Sequence, residues 1–346
     1  MALKWVEGFD YLPTGSLSSD VAGAIGLYDY NNNQNFRTVA PGRFDYGKCL
    51  ETGFGGAQVS GYFVPVPGGP LMPEIFLGFA MRNIDFGNQV TLRSGSIDVA
   101  SIEFINPGRI AVYRGSDSEG NLIGQTASGV LFEDVWSWIE IHLKAGAGGM
   151  IEVRVNTQTV ISIPAVTFTE PGIDNIGLST VGLSTCQWDD FYLCDPTGDQ
   201  NNTYLGNVRV QWLAPTGPGN QTQWTPNPVE LPNWQAASNQ QINDNTFVKN
   251  PITEPGEYDL YTLTPLVNSP NIYGVSVKGA YRQDDATQMF VQNAIRTNGA
   301  DFFGATFATD QKYSFRRDIY QVNPATGVGW TIAEVNSLQA GPRHLS

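Results

Sequence analysis

The 346-residue chain carries a net charge of −14, with 15% charged and 41% hydrophobic residues. An acidic surface repels a phosphate backbone, which argues against a nucleic-acid partner, and the absence of any run of about 18 apolar residues argues against membrane insertion. The 38 glycines, 21 prolines and 12% aromatic residues place many turns between short aromatic and β-branched runs, the pattern of an all-β fold.

Met1 to Asp10 lacks the apolar core of a signal peptide, so synthesis in a cytoplasm is expected. A first strand is predicted over Lys4–Asp10, a polar loop at Asn31–Asn33, and a loop then a strand within Phe36–Glu51. Gln58–Pro65 is another apolar run, and the P-V-P-G-G-P-L-M-P stretch after it is too Pro-rich for an interior strand. Glu74–Asp85 is the most continuous apolar run and reads as a central strand. Ser101–Asn106 and Arg109–Arg114 flank an N-P-G turn and form a hairpin. Ile139, Ile141 and Leu143 alternate with Glu140, His142 and Lys144; after a glycine loop, Ile151, Val153 and Val155 alternate with Glu152, Arg154 and Asn156. That period-two pattern on both sides of a turn predicts a half-buried antiparallel hairpin. Val160–Ile163, Ile176–Ser179 and Gln187–Asp195 complete about a dozen strands, suited to two packed sheets.

Beyond Asp195 the chain becomes polar and turn-rich. The expected organisation is a first domain over 1–197, a Pro/Trp-rich connecting arm over 198–243 and a second β-sandwich over 244–346. A short strand is predicted at Val208–Leu213 and irregular structure over Ala214–Gln241. Further strands are predicted over Tyr258–Leu263, Ile272–Arg282, Gln288–Arg296 and Lys312–Gln321. Thr331 with Glu334 three residues on forms a capping-box pattern for one C-terminal helix, with Gly341 as its stop.

E-G-F-D near the start, W-S-W-I-E-I-H-L-K, I-E-V-R-V-N and the closing W-D-D-F-Y-L-C-D together resemble a concanavalin A-like, laminin-G-like jelly roll. L-G-N-V-R-V-Q, S-V-K-G-A-Y-R-Q-D-D-A and N-P-A-T-G-V-G-W-T-I-A-E-V-N-S-L-Q-A-G extend the resemblance over nearly the whole chain to virion structural proteins of tailed phages. What it implies is a virion component exposed on the tail or decorating the head. Its expected partners are further copies of itself, as a trimer, other virion proteins and host-surface glycans.

Candidate chemistry is sparse. Asp189 and Asp190 are adjacent on a predicted strand, so their side chains are expected on opposite faces. They are read either as a calcium or sugar site at a sheet edge or as carboxylates that order loop amides. Asp244, Asp284, Asp285 and Asp301 lie in loops without a calcium-loop pattern and read as solvated turn residues. No same-face carboxylate run suits a glycosidase, and Glu140 and Glu152 are explained by cross-strand pairs. His142 has no nucleophile elbow beside it. The three cysteines, Cys49, Cys186 and Cys194, read as buried reduced thiols, and two histidines make a zinc site improbable. Trp212, Trp224 and Trp234 are candidates for interface contacts or glycan stacking. The expectation is therefore a non-enzymatic protein without cofactor or metal, acting through assembly and adhesion, with a carbohydrate-binding module as the alternative.

Overall fold

A computed structural model describes residues 2–16, 28–29, 36–53, 59–63, 69–180, 184–240, 242, 244–250, 255–267, 271–284 and 288–345. The side chains of 16, 28–29 and 59–63 lie outside that description, as do Asn31–Asn33, residues 65–68 of the Pro-rich stretch and Asp285. The chain divides into two units, Met1–Val210 and Gln211–Ser346. The arm expected over 198–243 is thus split between them.

The first unit is a sandwich of two antiparallel sheets. The nine-stranded sheet runs Gln158–Val166, Gly149–Val155, Trp136–Lys144, Glu74–Asn83, Cys186–Cys194, Cys49–Thr52, Phe36–Val39 and Gly15–Ser16, and Leu3–Glu7 also pairs with Cys186–Cys194. The seven-stranded sheet runs Leu122–Gln125, Arg109–Arg114, Ile97–Ile105, Asn88–Ser94, Asn175–Thr180, Val59–Phe63 and Tyr28–Asp29. The predicted hairpin forms, with Ile139 opposite Val155, Ile141 opposite Val153 and Leu143 opposite Ile151. Glu74–Asn83 is a central strand between Trp136–Lys144 and Cys186–Cys194.

Alternation sends one set of side chains from each sheet into the shared core. Phe79 is fully buried there. Its ring stacks on Phe191 at 5.2 Å, meets Trp188 at 5.7 Å and meets Phe104 of the opposite sheet at 6.5 Å. All three cysteines are free and buried.

The second unit holds a six-stranded sheet of Pro215–Thr222, Asp259–Leu263, Gln339–His344, Phe290–Thr297 and Ala300–Phe303, with Phe307–Ala308 also on Phe290–Thr297. The two-stranded ladder of Val275–Tyr281 and Ser314–Tyr320 supplies Val275, Val277 and Tyr320 to a core around Ile295, Trp330, Val335 and Leu338. Three expectations change here. Pro215–Thr222 is a strand although it carries two prolines, because it lies at the sheet edge where missing donors are tolerated. Asn233–Ala237 is a helix within the stretch expected to be irregular. The capping-box helix forms with both reciprocal bonds but spans only Ile332–Asn336; Gly341 is not its stop, because Gln339–His344 is paired between two strands.

Truncating Phe79 to Ala removes the ring that both sheets share and should destabilise the jelly roll by about 3–5 kcal/mol. Urea unfolding followed by tryptophan fluorescence measures this; a loss under about 1 kcal/mol would mean the site collapses around the change.

Candidate functional site

The two outward faces of the jelly roll differ. On the nine-stranded sheet, Glu140, His142, Arg154, Glu152 and Tyr192 project away from the core, and the chain's own segment Tyr204–Val210 lies back across them. Glu140 Oε1 accepts from the Tyr192 hydroxyl at 2.7 Å and from the Gly206 amide at 2.9 Å. The Leu205 amide donates to the Tyr192 hydroxyl at 3.0 Å, and the Tyr204 hydroxyl donates to Glu152 at 3.1 Å. The Tyr204 ring packs edge-on to Phe76 and His142 and lies under the Arg154 guanidinium at 3.7 Å. This explains why Val208–Leu213 is not the expected strand. Leu205, Gly206 and Val210 donate their amides to side-chain acceptors instead of a ladder. Glu140 is not held by a cross-strand cation as expected: Arg154 is opposite it in register but bonds Glu152, while the strap takes Glu140.

Asp189 and Asp190 do not point to opposite faces of a regular strand. The register shifts between Asp189 and Tyr192, and Asp190 adopts a left-handed backbone with φ 56°. The bulge brings both carboxylates against one residue. Asp189 accepts the Arg43 amide at 2.9 Å, while Asp190 accepts the Arg43 guanidinium at 3.2 Å and the Val210 amide at 2.7 Å. The guanidinium also donates to the Val208 carbonyl and to Asn207. Both aspartates are buried. Burial, then the Asp190 charge, pushes Asp189 up to about 9. Burial raises Asp190 to about 6 against the opposing pull of the Val210 amide and Arg43. One guanidinium neutralises one carboxylate, so the pair takes up a proton more readily than two free aspartates do.

On the seven-stranded sheet the polar groups of the described residues bond mainly to one another. Val90, Leu92, Ile102, Ile110, Val112 and Leu178 fill the core, so the residues alternating with them face outward. Register aligns them in two rows, Ser179–Gln89–Glu103–Ala111 and Gly177–Thr91–Ser101–Tyr113. Their side-chain partners lie largely on the same face. Ser179 and Thr91 hydroxyls donate to Gln89 Oε1 at 3.1 and 3.3 Å, and the Tyr113 hydroxyl donates to Glu103 at 2.9 Å. Gln89 is only 8% exposed. Its Nε2 and the Arg109 Nε are buried donors with no hydrogen-bond partner among the described residues. Burial and then Glu103 push the Tyr113 phenol up to about 12, so it acts as a donor and not a base at neutral pH. Composition and periodicity do not flag this face, because its polar residues come from four strands.

A third feature is the loop Arg43–Gly47. Phe44 and Asp45 sit at φ 62° and 55°, a conformation that costs about 1–3 kcal/mol per residue and persists where surroundings impose it. Here the Gly42 amide closes on the Gly47 carbonyl at 3.2 Å, and the Lys48 amide donates to Asp10 at 2.7 Å. The loop tip leaves Phe44 56% and Tyr46 48% exposed.

The predicted tryptophans are half-buried. Trp224 donates from Nε1 to the Glu257 carbonyl at 3.2 Å, Trp234 lies on the helix Asn233–Ala237, and Trp212 precedes the edge strand. Asp244 and Asp284 pair with Arg282 at 3.0 Å each, and Asp301 pairs with Arg296 at 2.8 Å. Among the described residues, no three His, Cys, Asp or Glu side chains come together to hold a metal.

No protein-family model matches this chain, and no curated protein does. Solved structures do. Alginate lyase Aly36B is 14% identical, covering 55% of this chain and 96% of its own at a TM-score of 0.36. The endo-β-1,4-glucuronan lyase of Trichoderma reesei is 14% identical, over 48% of this chain and 90% of its own, at 0.36. Domain 4 of the Geobacillus stearothermophilus arabinanase AbnA, solved with arabinotriose, is 12% identical over 56% and 92%, at 0.36. One expectation is overturned at this point. The sequence reads as that of a non-enzymatic chain, yet structures similar to it include lyases, so the architecture gives no ground for excluding catalysis.

The buried aspartate pair generates a pH dependence. Both folded values lie above the unfolded aspartate value of about 3.9. The pair therefore favours the folded state most below about 3.9, and that contribution is lost as pH rises toward about 9. Thermal unfolding should show the jelly roll melting lower at pH 10 than at pH 7. Asp189→Asn should flatten that slope; an equal slope in the variant would contradict the assignment.

Proposed function

We propose that this chain binds carbohydrate on the outward face of the seven-stranded sheet. The observation that carries the reading is Gln89, nine-tenths buried with its Nε2 unpartnered among the described residues, set between Ser179, Thr91 and Glu103. An unmade hydrogen bond at a buried donor costs about 1–3 kcal/mol, and a sugar hydroxyl restores it. A pyranose presents hydroxyls that each donate and accept. Glu103 and the Tyr113 hydroxyl oxygen, whose proton is given to Glu103, supply acceptors, Gln89 and Arg109 supply donors, and the Tyr113 ring supplies an apolar face.

Affinity electrophoresis through gels containing a neutral β-glucan, an arabinan or a uronan tests this. Retardation in at least one gel is expected, with Gln89→Leu and Glu103→Gln each weakening it about tenfold, roughly 1.4 kcal/mol, at unchanged melting temperature. Wild-type mobility equal to a non-binding control in all three gels would remove the reading. Shortening of the polysaccharide during the run would make the same face a catalytic surface.

The virion setting belongs to the same proposal. The motifs L-G-N-V-R-V-Q and S-V-K-G-A-Y-R-Q-D-D-A favour it, with other virion proteins and further copies of the chain, arranged as a trimer, as partners. Cryo-electron microscopy of intact particles tests it. Density at the tail supports a tail protein, a fixed number of copies on the capsid lattice makes it head decoration, and absence from the particle removes the setting.

A further inference from the structure

The first unit carries a second cluster suited to a sugar ring, on a different element from the face described above. The rings of Phe44 and Tyr46 emerge one residue apart from the tied loop Arg43–Gly47, and Asp45 stands exposed between them. The Arg209 guanidinium lies over both rings, 4.7 Å from the centre of Tyr46 and 5.6 Å from that of Phe44. Inward, the Arg43 guanidinium lies 4.5 Å from Phe44 and 5.1 Å from the buried Trp138. The result is a ladder that alternates ring and cation from the Trp138 side of the nine-stranded sheet to the surface.

Two properties separate this cluster from ordinary exposed aromatics. Its backbone is fixed from several directions. Asp189 holds the Arg43 amide, Asp190 holds its guanidinium, and a Cβ at Gly47 would lie 2.1 Å from Asp10 Oδ1. Ligand binding therefore orders little, which is where affinity is usually lost. The rings keep about half their surface exposed although the Arg209 guanidinium lies over them, and the exposed Asp45 carboxylate stands between them, so an acceptor and a donor adjoin the open parts of the rings. Half-exposed aromatic rings that adjoin both kinds of polar group match the alternating C–H and O–H edges of a pyranose.

We infer that Phe44, Tyr46, Asp45 and Arg209 form a second carbohydrate subsite, so that one chain engages a glycan at two points. The inference rests on the reading of this chain as a carbohydrate binder but not on the same residues. Two points on one polymer raise avidity through effective concentration without any added contact.

Calorimetric titration of the full chain with a β-glucan hexasaccharide and with a uronan hexasaccharide separates the two sites. The expected stoichiometry is two oligosaccharides per chain for one of these probes. It falls to one in Phe44→Ala/Tyr46→Ala and to one in Gln89→Leu/Glu103→Gln. Phe44→Leu/Tyr46→Leu keeps the apolar bulk and removes only the π faces; it should match the alanine pair in stoichiometry and the wild type in melting temperature.

A single site in the wild type that survives the loop variants would overturn the inference and leave the sheet face as the site. The rings would then serve only to clamp Arg209, with a lower melting temperature in the alanine pair. A single site lost in the loop variants and kept in the sheet variants would support the subsite and reject the sheet reading. Binding of neither probe would count against both. Capture of a protein partner by the loop with no oligosaccharide binding would also overturn the inference.

Discussion

The ion pair of Arg43 with Asp190 is the contact on which the arrangement of the first unit turns. A charged pair this far from water is maintained only if the remaining lone pairs and protons find partners. Those partners are peptide groups of the segment after the jelly roll: the Val210 amide on Asp190 and the Val208 carbonyl on Arg43. Glu140 extends the same requirement to the Gly206 amide. The buried carboxylates on the nine-stranded sheet thus hold the strap on that face. Removing the strap would expose Glu140 and Asp190 without their amides, which is the costly alternative.

The same tie organises what lies at the surface. Arg43 begins the loop that carries Phe44 and Tyr46, so the pair that fastens the strap also fixes those rings. The strap supplies Arg209 over them. On the seven-stranded sheet the polar groups are arranged differently: they bond to neighbours on the same face, and Gln89 and Arg109 each keep a buried donor in reserve. On the nine-stranded sheet Glu140, Glu152 and Asp190 are satisfied by the strap. On the seven-stranded sheet the unmade donor of Gln89 lies among the polar side chains of Ser179, Thr91 and Glu103, and that cluster is what points to a ligand there.

Much of the fold is legible in the residues. Period-two alternation from Ile139 to Val155 gives the hairpin, N-P-G gives the turn before Arg109, and Thr331 with Glu334 gives the helix start. Each of these signals is local. The differences arise where a distant partner decides. Asp189 and Asp190 leave strand alternation because a bulge and a left-handed residue turn both toward Arg43, 146 and 147 positions away. Pro215–Thr222 becomes a strand because Asp259–Leu263 presents an edge to it. Gly341 reads as a helix stop from its neighbours and is a strand residue because two strands claim it.

The candidate site is less legible for the same reason. Gln89, Glu103, Tyr113 and Ser179 are unremarked polar residues within four separate strands, and only cross-strand register puts them side by side. The tryptophans that composition singles out are half-buried in the second unit, while Phe44 and Tyr46 escape notice because nothing local marks R-F-D-Y-G as a rigid display. A crystal structure of the chain soaked with a bound hexasaccharide tests the central claim most directly. The account predicts sugar density over the seven-stranded sheet, with a ring hydroxyl within hydrogen-bond distance of Gln89 Nε2. Density confined to the nine-stranded face, with Tyr204–Val210 displaced, would contradict it.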